Sequence, residues 1–141
     1  MIKQDFIERM SQELAKVIAE LLGFDTSQKL EYLNEYFATM SIDTMDLLES
    51  PLEDLMEELI SREDLQISHL ELVANLIQQK ALVYYEQEYD AFGHNLMKKA
   101  IALLEHVDEE MDTFSVQRRE LLDAMKRDVS DEEYDLSLIH I

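Results

Sequence analysis

The chain has 141 residues, a 47% apolar fraction and a formal net charge of −20, from 32 Asp and Glu against 12 Lys and Arg. Such a length suits one domain with a genuine core, while the charge disfavours binding to nucleic acid or anionic membrane surfaces and favours encounter with a basic partner. The absence of cysteine excludes disulfides, thiolate metal sites and a cysteine nucleophile.

Two glycines and one proline are too few for a turn-rich strand fold. Leu, Glu, Ala, Met, Lys and Gln keep their rotamer freedom in helices. The expectation is therefore an all-α fold of six to seven antiparallel helices. Asp5 and Glu8 interrupt any signal-peptide core, and the most apolar stretch, Val17 to Phe24, is broken by Glu20 and too short for a membrane span. A cytoplasmic location is expected, and the acidic helix faces also serve simply to keep such a protein soluble.

The first predicted helix runs from about Lys3 to Leu22, with Ile7, Met10, Leu14, Val17, Ile18 and Leu21 on one stripe. Gly23 is its expected left-handed stop. Asp25, Thr26 and Ser27 offer caps for a second helix whose apolar face holds Leu30, Leu33, Phe37 and Met40. A short segment from Ile42 to Leu48 follows Ser41. Ser50-Pro51-Leu52-Glu53 then reads as a capping box with proline at the first helical position, and Leu52, Leu55, Met56 and Leu59 as the buried side.

Ser68-His69-Leu70-Glu71 reads as a second capping box, opening a long hairpin over 68–107. Its first helix is expected from about His69 to Glu88, burying Leu72, Val73, Leu76, Ile77, Ala81 and Tyr84. Its second is expected from about Asp90 to Val107, burying Met97, Ala100, Leu103 and Leu104. Small residues at Ala81, Gly93 and Ala100 suit a close helix crossing. Asp112 or Thr113 is the expected cap of a last helix, about Phe114 to Asp128, that buries Val116, Leu121, Leu122 and Met125.

The single helical domain is expected to close near residue 130, with 131–135 as a frayed acidic tail. Residues 136–141, Leu-Ser-Leu-Ile-His-Ile, resemble the in-frame translation of the transposase end used in sequencing libraries. On that reading the native chain continues past about Asp135 and His140 carries no functional weight. A native apolar tail packed on the helices is the alternative.

Catalytic and metal-binding patterns at helical spacing are incomplete in this chain. Glu-x-x-His fails at His69, His94 and His106, because Gln66, Ala91 and Leu103 stand three residues before them. HExxH and GxSxG do not occur, and neither Asp43–Ser50 nor Asp108–Asp112 has the central glycine of a calcium loop. His106 and Glu109 share a helix face, the ordinary mark of a surface contact. Enzyme activity is not expected, and no cofactor or metal is implied.

Residues Ala74 to Glu105 resemble a tetratricopeptide repeat. Ala81 and Tyr84 match its first helix, Gly93, Met97 and Ala100 its second, and Glu88-Tyr89-Asp90 its turn. Lys80 departs from the usual leucine, and no proline closes the second helix. The resemblance implies a groove side formed by Asn75, Gln78, Leu82, Tyr85 and Glu86, suited to an extended or helical peptide. Gln78, Leu82 and Glu86 depart from the pattern that grips a C-terminal carboxylate. A second possibility is that Tyr85 and Leu82 pack on the N-terminal helices, leaving no groove.

The opening MIKQDFIERM also resembles a group of bacterial proteins beginning Met-Ile-x-Gln-Asp and then Phe or Tyr, which has no established activity to transfer. The functional expectation is a non-catalytic protein–protein interaction or scaffold module. Alternatives are a structural homodimer subunit, a small helical enzyme and an acidic nucleic-acid mimic.

Overall fold

Apolar residues at three- and four-residue steps, with almost no helix breakers between them, give seven helices and no strand among the described residues. The computed structural model describes the backbone of residues 2–111 and 114–140 and the side chains of residues 8–111 and 114–129. The helices are α1 (Ile2–Leu22), α2 (Thr26–Thr39), α3 (Thr44–Glu49), α4 (Leu52–Ser61), α5 (Ile67–Glu86), α6 (Asp90–Glu110) and α7 (Val116–His140).

Helix α5 is the central element, since twelve of its 20 residues are buried. It pairs most extensively with α6 and also receives α1 and α2, while α6 carries α3, α4 and α7. Leu72, Val73, Leu76, Ile77 and Ala81 meet Met97, Ala100, Leu103 and Leu104 in the core, as their spacing predicts. Tyr84, Leu30, Met40, Met10, Leu14 and Leu121 are partly buried against that core. Val116 and Leu52 differ from expectation and are exposed. Both are the first residue of their helix.

Several expected boundaries move. Gly23 is not left-handed, because no glycine has positive φ. Instead Gly23 N–H donates to Glu20 O and Phe24 N–H to Leu21 O, each at 3.1 Å, a tightening last turn that needs no special residue. The left-handed positions are Ser41 (φ 57°) and Glu88 (φ 65°). Ser41 N–H donates to Ala38 O and Ile42 N–H to Phe37 O, while Glu88 N–H donates to Tyr85 O and Tyr89 N–H to Tyr84 O. These pairs are Schellman closures of α2 and α5. Arg62 reinforces the first, donating from Nη2 to Met40 O at 2.7 Å and from Nη1 to Ser41 O at 3.2 Å.

The caps shift similarly. Asp25 and Gln28 form the expected box at α2, with Gln28 N–H donating to Asp25 Oδ1 at 2.8 Å and Asp25 N–H donating to Gln28 Oε1 at 3.0 Å. Asp43 caps α3, its Oδ1 accepting from Met45 N–H at 2.8 Å. The Ser50 box does not form; Pro51 occupies the cap position of α4, and no side chain caps that helix. The Ser68 box does not form either, because α5 begins earlier and Ser68 is buried inside it. There Gln66 N–H donates to His69 Nδ1 at 3.1 Å. The expected caps Asp112 and Thr113 lie outside the described residues.

Helix α7 runs on to His140, beyond the end expected at Asp128. The run DVSDEEYDLSLIH contains no glycine or proline to stop it. The side chains of residues 136–141, and with them the tail's packing, lie outside the described residues, as does that of Ile7.

Candidate functional site

Burial and partners separate the five residues of the expected groove. Asn75 and Gln78 are buried, and Asn75 Nδ2 donates to Glu71 O at 2.8 Å within its own helix. Gln78 Oε1 accepts from Gln79 Nε2 at 3.4 Å. Leu82 and Tyr85 are half-buried against the core. Glu86 is exposed, and its carboxylate accepts from Thr26 Oγ1 at 3.1 Å and Lys29 Nζ at 3.2 Å. The five therefore do not share one open face. The reason is tertiary: α1 and α2 pack on α5, and neither belongs to the hairpin from which the groove was inferred.

Tyr85 has a different role in the hairpin. A Cβ placed on Gly93 would stand 2.7 Å from Tyr85 Cε1, 2.8 Å from Cδ1 and 3.0 Å from Ala81 O. The α5–α6 crossing is thus closed by an aromatic ring lying against a bare backbone, beside the small side chain of Ala81.

The exposed apolar material at the hairpin lies at its elbow. Residues 88–92 are all exposed, with Tyr89 at 55% and Phe92 at 47% relative exposure. Tyr84 stands behind them, its ring centroid 6.5 Å from Tyr89 and 5.7 Å from Phe92, both edge-on, and Tyr89 lies 6.1 Å from Phe92. Edge contacts suit the ring quadrupoles and hold the trio in place. A Schellman closure is commonly accompanied by an apolar contact across the turn, and Tyr84 with Tyr89 supplies it. Burial raises the Tyr84 phenol above its ordinary range. The tyrosine spacing was legible in sequence as a turn. Its exposure was not, because that depends on where the N-terminal helices stop.

Three cations sit inside this acidic chain. Lys80 Nζ donates to Asn34 Oδ1 at 2.9 Å and lies 6.0 Å from the Tyr84 ring centroid, and burial brings its pKa down to about 8. Lys99 Nζ donates to Leu47 O at 2.6 Å and Leu48 O at 3.0 Å, tying α6 to the last turn of α3, and burial lowers its pKa. Arg118 is held by Glu71 at 2.7 Å and Asp108 at 3.0 Å, with Met111 Sδ at 3.1 Å. Lys80 stands out in the sequence only as a departure from the leucine of the repeat pattern, and nothing in the sequence marks Lys99 or Arg118 as buried.

An open cleft of about 400 Å³ separates the α3–α4 turn from α6, lined among others by Leu48, Pro51, Leu52, His94, Asn95 and Lys98. Among the described residues no group of three or more His, Asp or Glu is placed to hold a metal ion, and no helix is long and apolar enough to cross a membrane. Comparison with protein families, curated proteins and solved structures finds no match to the chain.

Proposed function

We propose that this all-α protein is a non-catalytic protein–protein interaction module of the cytoplasm, with a tetratricopeptide-like α5–α6 hairpin as its scaffold. The observation that carries this reading is the exposed Tyr89–Phe92 surface, held in fixed geometry by Tyr84 and the Schellman closure. Aromatic side chains offer much contact area at small entropic cost, so a rigid exposed pair is a natural anchor for a partner polypeptide. The close packing of Tyr85 on Gly93 supports the repeat-like scaffold, since small residues at the crossing are what the resemblance rests on. The buried cations support the non-catalytic part, because Lys80, Lys99 and Arg118 are spent on separate contacts between helices.

The test is partner capture by the full chain against a Tyr89→Ser, Phe92→Ser double variant, with mass in solution measured alongside. A monomer whose captured partner is lost in the variant supports the reading. A tight dimer formed equally by both proteins favours the homodimer subunit. Capture unchanged by a folded variant removes the elbow as the docking surface.

A further inference from the structure

We propose that the α5–α6 elbow docks a cationic side chain, an arginine or lysine from a basic partner segment, over the exposed Tyr89 and Phe92 rings with Glu88 and Asp90 as counter-charges. The inference rests on the interaction-module reading and adds the chemistry of the partner.

Ring faces are electron-rich, and a guanidinium or ammonium within about 6 Å of a ring centroid is attracted to them. Within the protein, Lys80 Nζ stands 6.0 Å from the Tyr84 centroid, at the outer end of that range, on the side where α2 supplies Asn34. That contact and the edge-on packing occupy Tyr84. Tyr89 and Phe92 keep about half of their surface open.

The charge at the elbow is of the complementary sign. Of the acids in residues 86–90, Glu86 is engaged by Lys29 and Thr26, while Glu88 and Asp90 are exposed in the same turn as Tyr89. Glu88 is held in the left-handed region by the Schellman closure, which fixes where its side chain leaves the backbone. Around this sits a chain of net charge −20, whose field draws basic partners in and holds acidic ones off. An apolar partner alone would gain contact with the rings but would leave those carboxylates uncompensated. Charge complementarity therefore selects a basic segment over a neutral one.

The experiment is a fluorescence-anisotropy titration of the full chain with a short labelled peptide of alternating arginine and alanine. Its citrulline analogue keeps the planar shape without the charge, and a neutral leucine-rich peptide probes apolar docking. Three variants accompany the wild type: Tyr89→Leu with Phe92→Leu, Glu88→Gln with Asp90→Asn, and, at the far end of α6, Glu109→Gln with Glu110→Gln. The leucine pair retains apolar bulk and removes the ring faces.

The arginine peptide is expected to bind the wild type at low salt and to lose about fivefold or more in affinity to the leucine pair. A smaller loss is expected at the Glu88/Asp90 pair, with almost none at Glu109/Glu110 and strong weakening in high salt. Equal binding of the citrulline peptide, full binding by the leucine pair, or equal losses at both acidic pairs each overturns the cationic dock. Tighter binding of the leucine-rich peptide overturns it too, yet leaves the elbow as an apolar interaction surface. Failure of every peptide while the serine variant still loses its partner sinks the inference alone. Circular dichroism checks each variant, and should the leucine pair unfold, the exposed Glu88/Asp90 pair decides.

Discussion

Gly93 and Gly23 are the chain's only glycines, and their surroundings set opposite expectations for the same substitution. At Gly93 an added methyl would meet the Tyr85 ring at 2.7 Å and the Ala81 carbonyl at 3.0 Å. Alanine there gains helix propensity but forces two packed helices apart, so Gly93→Ala should destabilise by about 1–3 kcal/mol. At Gly23 the nearest atom to a new Cβ is Glu20 O at 3.6 Å, and φ is not positive. Gly23→Ala should therefore stabilise by about 0.4–1 kcal/mol, through the unfolded chain. Urea midpoints of the two variants test both signs at once. A stable Gly93→Ala protein would show that the Tyr85 ring can swing away.

Arg118 is a buried cation of α7. It is 6% exposed and joins that helix to Glu71 of α5 and Asp108 of α6, with Arg119 adding a 2.9 Å contact to Asp108. Removing Arg118 takes the buried counter-charge from Glu71 and leaves Asp108 with the exposed Arg119 alone, so Arg118→Met should cost about 3 kcal/mol. Amide exchange should then quicken across α7 while the α5–α6 pair stays protected; uniform quickening would mean that the helix is not a separable layer. The helices themselves were legible in sequence because the stripes of α1, α2, α5 and α6 repeat at three and four residues. Their ends were less so. Proline at Pro51 displaced the expected Ser50 cap, and the left-handed turns fell on Ser41 and Glu88, where no glycine marks them. The groove residues were the least legible part. Asn75 and Gln78 look like surface residues on an isolated hairpin and become buried once the whole helix set is packed.

At the scale of the whole molecule, alkaline pH acts on stability in two directions. Lys80 has a folded pKa of about 8 against an ordinary 10.5, so the unfolded chain binds more protons between those values. The cost of its buried charge is fully present below about 8 and is relieved as pH climbs toward 10.5, which makes stability rise across that window. Tyr32 has the reverse sense. Burial and its bond to Glu20 hold the phenol near 12 instead of 10.0, and the stabilisation is lost as pH rises from 10.0 toward 12. Tyr36, whose hydroxyl donates to Glu13 at 2.6 Å, shifts the same way for the same reasons. Urea midpoints from neutral to strongly alkaline pH should thus pass through a maximum near 10. Lys80→Met should flatten the rising limb and Tyr32→Phe should soften the falling one; an unchanged rising limb in Lys80→Met would assign it to other groups.

The two Schellman turns also bias how this protein drifts over generations. At Ser41 and Glu88 the backbone already sits where β-branched side chains are poorly tolerated and where glycine, asparagine and aspartate are readily accepted. Descendant lineages should drift toward those residues at position 41, favour aspartate at position 88 where the charge is kept, and retain glycine at 93, while position 23 wanders freely among good helix formers.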